Sequence, residues 1–193
     1  MSVKTTTHST SLIDTQSLSA LGKASAVIIG SICMVLSAWT VIPFWPVESS
    51  MQPLMAVLLG VFLGPRLGAA AVLTYLAEGM LGLPVYASAS VYPGLSIFLK
   101  PSAGFLMSFP IAAYVAGVFS QRERLRTWKG VFGPFVMGTL IIYAMGMPYL
   151  IAFVGWKIAW TNFVLWIPGN IAKIGFGMAI VKLYGRSRFC KKS

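Results

Sequence analysis

Apolar stretches limit what this chain can fold into. Ala20 to Ile42 is a largely apolar run with a single charge, Lys23, near its start, and a helix rising about 1.5 Å per residue over that length crosses a hydrocarbon layer of about 30 Å. Met51 to Gly64 and Ala69 to Leu83 are apolar but too short to cross unaided, and Gly64-Pro65-Arg66-Leu67-Gly68 between them is a tight turn that predicts a hairpin of two short or tilted helices. Pro101 to Ser120, Val131 to Gly155 and Pro168 to Tyr184 complete the set. Hydrophobic residues make up 57% of the 193 and charged ones only 10%, a balance outside the range of water-soluble domains. The expectation is an all-α integral membrane protein, a bundle of six transmembrane helices.

The charges between these stretches set an orientation. Twelve of the fifteen Lys and Arg residues fall on one side if both termini are cytoplasmic: Lys4, Lys23, Arg66, Arg122, Arg124, Arg126, Lys129, Lys182, Arg186, Arg188, Lys191 and Lys192. Only Lys100, Lys157 and Lys173 remain for the other side. This accounts for the net charge of +11 without nucleic acid, because the basic residues alternate between short loops and form no aromatic-interleaved module. The expected organisation is a polar cytoplasmic tail over residues 1–19, a membrane domain over 20–185 and a basic cytoplasmic tail over 186–193. The first tail is Ser/Thr-rich, lacks the apolar core of a cleaved signal peptide and is expected to be unstructured, with His8 solvated.

One stretch carries chemistry into the membrane. Asn162 to Lys173 places an amide and an ammonium within the last apolar segment, where an ionisable group costs about 2.5–3.5 kcal/mol. With a helix starting at Pro168, a residue suited to the first helical position, Trp166, Asn170, Lys173 and Gly177 share one face. That face is a candidate site, Lys173 lying beside the positive end of a helix. The alternative is a lysine that snorkels to the interface.

The outer loops add candidates. Pro43 to Pro53 holds three prolines, aromatics, Glu48 and Gln52, and should line something. Pro84 to Gly94 combines small residues with Tyr86, Ser88 and Tyr92, a composition that allows close approach to a ligand. Glu78, near the end of its helix, is either a membrane-interface residue or the partner of a buried cation such as Lys173. In the first span, Ala20 with Ala24, and Gly22 with Ala26 and Gly30, form small-residue steps that suit either internal packing or docking of another membrane subunit.

Other chemistry is missing from the sequence. Gly22-Lys23 is followed by Ala24, and Ser17 stands where a phosphate-binding loop needs its first glycine, so no nucleotide motif is formed. The four acidic residues, Asp14, Glu48, Glu78 and Glu123, lie in different segments and build no catalytic pair or triad. Cys33 and Cys190 have no metal-ligand spacing. No metal, cofactor or enzymatic activity is expected. The remaining reading is a pocket open to the outer face for a small ligand with an apolar part and a carboxylate, bound by Lys173, with Lys100 or the helix start as the next candidate.

Several segments together resemble the biotin-specific substrate-binding (S) components, the BioY family, of energy-coupling factor transporters. Gly64 to Leu73 resembles the family's second-to-third helix turn, and Tyr75 to Tyr86 its Gly-Leu-Pro-Val-aromatic segment. Pro46-Val47 with Ser50 and Gln52 is similar to its Pro-Val-Pro-x-Thr-x-Gln loop, and Pro101 to Phe105 to its Gly-Pro-Thr-Gly-Gly-Tyr segment. Pro168-Gly169-Asn170-Ile171-Ala172-Lys173 resembles Pro-Gly-Asp-x-x-Lys, whose aspartate and lysine are associated with the ligand; here Asn170 replaces the aspartate. Glu48 for proline, Phe105 for tyrosine and Leu165-Trp166 for Pro-Phe depart further. The resemblance implies biotin as ligand, Gln52 and Phe105 as additional site residues, and a transmembrane coupling subunit and two ATPase subunits as partners in the cytoplasmic membrane. Its alternatives are an S component for another carboxylated cyclic molecule, or a membrane enzyme.

Overall fold

The computed structural model describes residues 12, 13, 15, 17–42, 49–86, 94–120, 125 and 127–189. Five α-helices account for most of them: α1 (Ala20–Trp39), α2 (Gln52–Met80), α3 (Ala103–Phe119), α4 (Trp128–Val154) and α5 (Trp156–Phe189). A pair of two-residue strands, β1 (Val41–Ile42) and β2 (Ser49–Ser50), is antiparallel with Val41 opposite Ser50, and a 3-10 helix covers Gly94–Leu99. Among the described residues, four helices are long and apolar enough to cross a membrane, and α3 is a shorter apolar one.

α2 is the expected hairpin, with a sharper bend than the five-residue turn foreseen. Gly64 alone breaks it, at φ 83° and ψ 176°, a conformation that glycine adopts freely, and Pro65 opens the second arm where its missing N–H costs nothing. The arms run side by side. A Cβ on Gly68 would lie 2.8 Å from the Gly60 Cα, and one on Gly60 would fall 2.1 Å from the carbonyl oxygen of Ala113 in α3, so the hairpin and α3 meet backbone to backbone. Buried Tyr75, Phe109, Phe135, Met34 and Leu150 fill the centre between α1, α2, α3 and α4.

One end of the bundle gathers the α2 bend, the end of α3, the start of α4 and the end of α5. Gly117 packs on Pro65, the Phe62 and Tyr184 rings meet edge to face at 5.2 Å, and Lys182 Nζ lies 5.2 Å from the Trp128 ring centroid. The chain before α1 joins them. The amides of Leu12 and Ile13 donate to the Val61 and Phe62 carbonyls at 3.3 and 3.1 Å, and Thr15 Oγ1 donates to Leu63 O at 3.4 Å, so three carbonyls at the end of the first α2 arm find donors. The expectation of an unstructured tail therefore fails for these residues: Leu12 is 4% exposed. His8 lies outside the described residues.

The last helix corrects the sequence reading. It begins at Trp156, not at Pro168, immediately after Gly155 ends α4 with φ 79°. Residues 156–162, which lie before the expected start of this span, are helical, and two of their polar side chains turn back onto the helix: Thr161 Oγ1 donates to Lys157 O at 2.9 Å and Asn162 Nδ2 to Ile158 O at 3.0 Å. Pro168 then sits in the interior of a 34-residue helix. Such prolines are tolerated in membrane helices, where neighbouring groups satisfy the freed carbonyl.

The outer surface is apolar. Leu21, Ile28, Ile29, Ile32 and Leu36 of α1 are all more than half exposed, as are Phe132, Leu140, Ile171, Phe176 and Leu183 on the later helices. Apolar side chains facing outward over several spans belong in lipid, and the chain is a multi-pass membrane protein.

Candidate functional site

At the end opposite the α2 bend, the helices diverge around a cavity of about 1010 Å³, a volume that includes its open mouth and the solvent there. Its apolar walls come from the start of α2 (Leu54, Val57), α3 (Phe105, Leu106, Phe109), α4 (Phe135, Ile142) and α5 (Trp166, Ile174). Polar groups are few: Ser49, Ser50, Gln52, Lys100, Ser102, Thr139, Tyr143, Asn170 and Lys173. None of these described lining residues is acidic.

Lys173 reaches this cavity from the middle of α5, and the share of one face by Trp166, Asn170 and Lys173 holds. The helix start expected beside it at Pro168 is absent, and the start of α2 at Gln52 lies close to it instead. Its ammonium donates to Ser49 Oγ and Ser50 O, both at 2.8 Å, fastening strand β2 to α5. Ser50 Oγ donates in turn to Gln52 Oε1 at 3.0 Å, and Gln52 Nε2 donates to the Tyr75 hydroxyl on the second arm of α2. A polar chain thus runs from α5 through β2 to the buried side of the hairpin. Gly177, the fourth residue of the face, packs against Phe135 and Leu54 below the cavity.

Asn170 donates through Nδ2 to the Tyr143 hydroxyl of α4. Tyr143 and Trp166 both meet the Phe105 ring edge to face, at 6.2 and 5.8 Å, so the wall facing Asn170 is aromatic. Tyr86 also lines the cavity; its hydroxyl donates to Leu76 O at 2.9 Å, its ring meets Tyr75 edge to face at 5.5 Å, and burial pushes its phenol up to about 12. The Trp166 Nε1 and Asn162 Oδ1 atoms, one turn apart on α5, are buried without a hydrogen-bond partner.

Six of the expected residues, Lys173, Asn170, Trp166, Tyr86, Phe105 and Gln52, therefore line one cavity. Glu78 is not among them and does not meet Lys173: it lies half-buried where α1 meets α2 and accepts a hydrogen bond from Ser31 Oγ at 2.6 Å. Ser88 and Tyr92 lie outside the described residues. Ala20 and Ala24 are exposed on α1. Sequence reasoning missed Ser49, Tyr143 and Tyr75. A tyrosine inside an apolar span was the available signal for the last two, but nothing in the spacing connects Tyr143 to Asn170, 27 residues away.

A model of the BioY family matches residues 7–188. Among curated proteins, the chain is 35% identical to "Probable biotin transporter BioY" of Pyrococcus horikoshii over 138 residues, covering 71% of this chain and 80% of that protein. It is 33% identical over 153 residues to "Biotin transporter BioY" of Rhizobium etli, covering 75% and 79%. The crystal structure of the S-component for biotin from an ECF-type ABC transporter superposes with a TM-score of 0.73 over 92% of this chain and 96% of its own, at 21% identity, a likeness of fold.

Proposed function

The chain belongs to the BioY family, and on that premise we propose that it is the biotin-binding S component of an energy-coupling factor transporter. It is a transport protein and not an enzyme. The observation that carries this reading is the cavity itself, an aromatic and aliphatic enclosure with two lysines and no acid among its described lining residues, which suits an apolar ring system bearing one carboxylate. Lys173, Asn170, Trp166, Tyr86, Phe105 and Gln52 are the proposed ligand contacts, together with Ser88 and Tyr92. Saturable binding of radiolabelled biotin to the purified, detergent-solubilised protein tests the reading, and no saturable binding would overturn it.

One feature favours a different ligand within the same class: Asn170 stands where the family motif carries aspartate, and an amide both donates and accepts where a carboxylate only accepts. Competition by other carboxylated cyclic molecules against labelled biotin separates the two readings.

The finer organisation is proposed as follows. Residues 20–185 cross the cytoplasmic membrane six times, counting the two arms of α2, and residues 1–19 and 186–193 lie in the cytoplasm. The twelve-to-three division of Lys and Arg supports that orientation. A transmembrane coupling subunit docks on α1 at Ala20 and Ala24, and two ATPase subunits supply the energy, for which this chain carries no nucleotide motif.

A further inference from the structure

Tryptophan is unevenly distributed over this fold. Five tryptophans lie among the described residues; Trp166 is buried in the cavity wall, and Trp39, Trp128, Trp156 and Trp160 are at least half exposed. None of these four stands in the middle of a span: Trp39 ends α1, Trp128 begins α4, Trp156 begins α5 and Trp160 lies one turn further. Aliphatic residues and phenylalanines occupy the exposed surface between them, such as Phe132 and Leu140 on α4 and Ile171 and Phe176 on α5. The 27 residues of α4 rise about 40 Å, the thickness of a bilayer with its headgroups, so Trp128 and Trp156 are about one bilayer apart. At the cavity end the indoles form a built surface. The Trp156 and Trp160 rings stack at 5.7 Å with 12° between their planes, although 64% and 50% exposed. Trp160 also meets Phe163 at 5.4 Å, and Phe163 meets Tyr143 of α4 edge to face at 5.1 Å, so the pair is fastened ring by ring to the neighbouring helix. An exposed indole needs an apolar medium for its ring and an acceptor for its N–H. Hydrocarbon lacks the acceptor and water wets the ring, whereas the layer of lipid ester carbonyls supplies both.

We propose that Trp156 and Trp160 form a lipid anchor that binds the carbonyl and headgroup layer of the bilayer at the cavity end. Lys157, exposed in the sequence between them, adds a cation that suits lipid phosphates. The anchor is independent of which ligand the cavity takes. It gives the first two turns of α5 a task, because they set the depth of the helix that carries Trp166, Asn170 and Lys173. Lys173 follows Trp156 by seventeen residues, about 25 Å along the helix, so an anchor at the interface holds the polar wall of the cavity near the middle of the bilayer.

Reconstitution into phosphatidylcholine vesicles whose acyl chains carry bromine at a chosen depth tests the anchor. The emission of the pair is read as the difference between the native chain and the double variant Trp156→Phe, Trp160→Phe. Bromine near the carbonyl end of the chains should quench that emission more strongly than bromine near the methyl end. Quenching that is equal at both depths, or strongest with the deep bromine, places the pair in hydrocarbon; no quenching at either depth places it in water or beneath another protein. Each of these outcomes overturns the proposal. The native chain tests the same point without a substitution. In vesicles containing a lipid with a diazirine near the carbonyl end of its acyl chain, light expels dinitrogen and the carbene inserts into a neighbouring bond. Peptide mapping should find more insertion on Trp156 and Trp160 with this lipid than with one whose diazirine lies near the methyl end, and equal, inverted or absent labelling overturns the anchor.

Discussion

Ser31 Oγ of α1 donates to Glu78 Oε2 of α2 at 2.6 Å, joining a fully buried hydroxyl to a carboxylate at the seam of two membrane helices. The contact holds α1 to the hairpin at a point where the other seam contacts are apolar, such as Gly30 on Ala71. Hydrogen bonds to charged groups contribute about 1.5–3 kcal/mol, and a buried acceptor left unpaired costs a similar amount. Ser31→Ala should therefore lower the unfolding temperature in detergent, and Ser31→Thr, which keeps the hydroxyl, should lower it less. Equal losses in the two variants would mean that packing, and not the hydrogen bond, is what the site requires.

Close approach of backbones should make Gly60 intolerant of any side chain. Its added methyl would stand 2.1 Å from the Ala113 carbonyl oxygen, and overpacking of this kind costs about 1–3 kcal/mol. Gly60→Ala should destabilise measurably, whereas Gly169→Ala, with nothing within 4 Å, should change the unfolding temperature little. A tolerant Gly60 would mean that the hairpin and α3 can separate without loss.

The segment before α1 should contribute to stability. Leu12 is buried at the α2 bend, and full burial of a leucine side chain contributes about 1.5–3 kcal/mol. Leu12→Ser should lower the unfolding temperature and speed hydrogen exchange around residues 61–63. Exchange unchanged there would show that the segment rests on the bend without supporting it.

Docking through α1 predicts a separation of assembly from binding. Ala24 is exposed and remote from the cavity, so Ala24→Leu should block co-purification with the coupling subunit while biotin binding is retained. Normal co-purification would remove Ala24 from the interface.

Orientation can be read by labelling single cysteines in intact cells, in a background without Cys33 and Cys190. Leu95, which is 66% exposed at the cavity end, should react as cysteine with an impermeant reagent, and Ser17, exposed at the opposite end, should not. The reverse pattern would invert the proposed topology.

The all-helical, membrane-embedded character of the chain was legible because lipid imposes a one-dimensional rule: apolar length decides what can cross, and prolines, glycines and clustered positive charge mark where it stops. The α2 bend was visible for the same reason, since Gly64-Pro65 is a local signal. The start of α5 was misplaced by another local signal. Pro168 suits a helix start, but upstream residues whose side chains bond back to their own helix carry no stop, and a membrane helix absorbs an interior proline.

The sequence by itself determined that Lys173, Asn170 and Trp166 share a face, because helical spacing is a property of the backbone alone. What that face meets was decided only by tertiary structure. The partners of Lys173 lie 124 and 123 residues earlier in the chain, at Ser49 and Ser50, and that of Asn170 lies 27 residues earlier, at Tyr143. Such pairings depend on how helices rotate and settle against one another, through contacts such as Gly60 on Ala113, and no periodicity encodes them. Glu78 shows the same limit from the other side: its carboxylate was visible as a group needing a partner, and only packing chose Ser31 over Lys173.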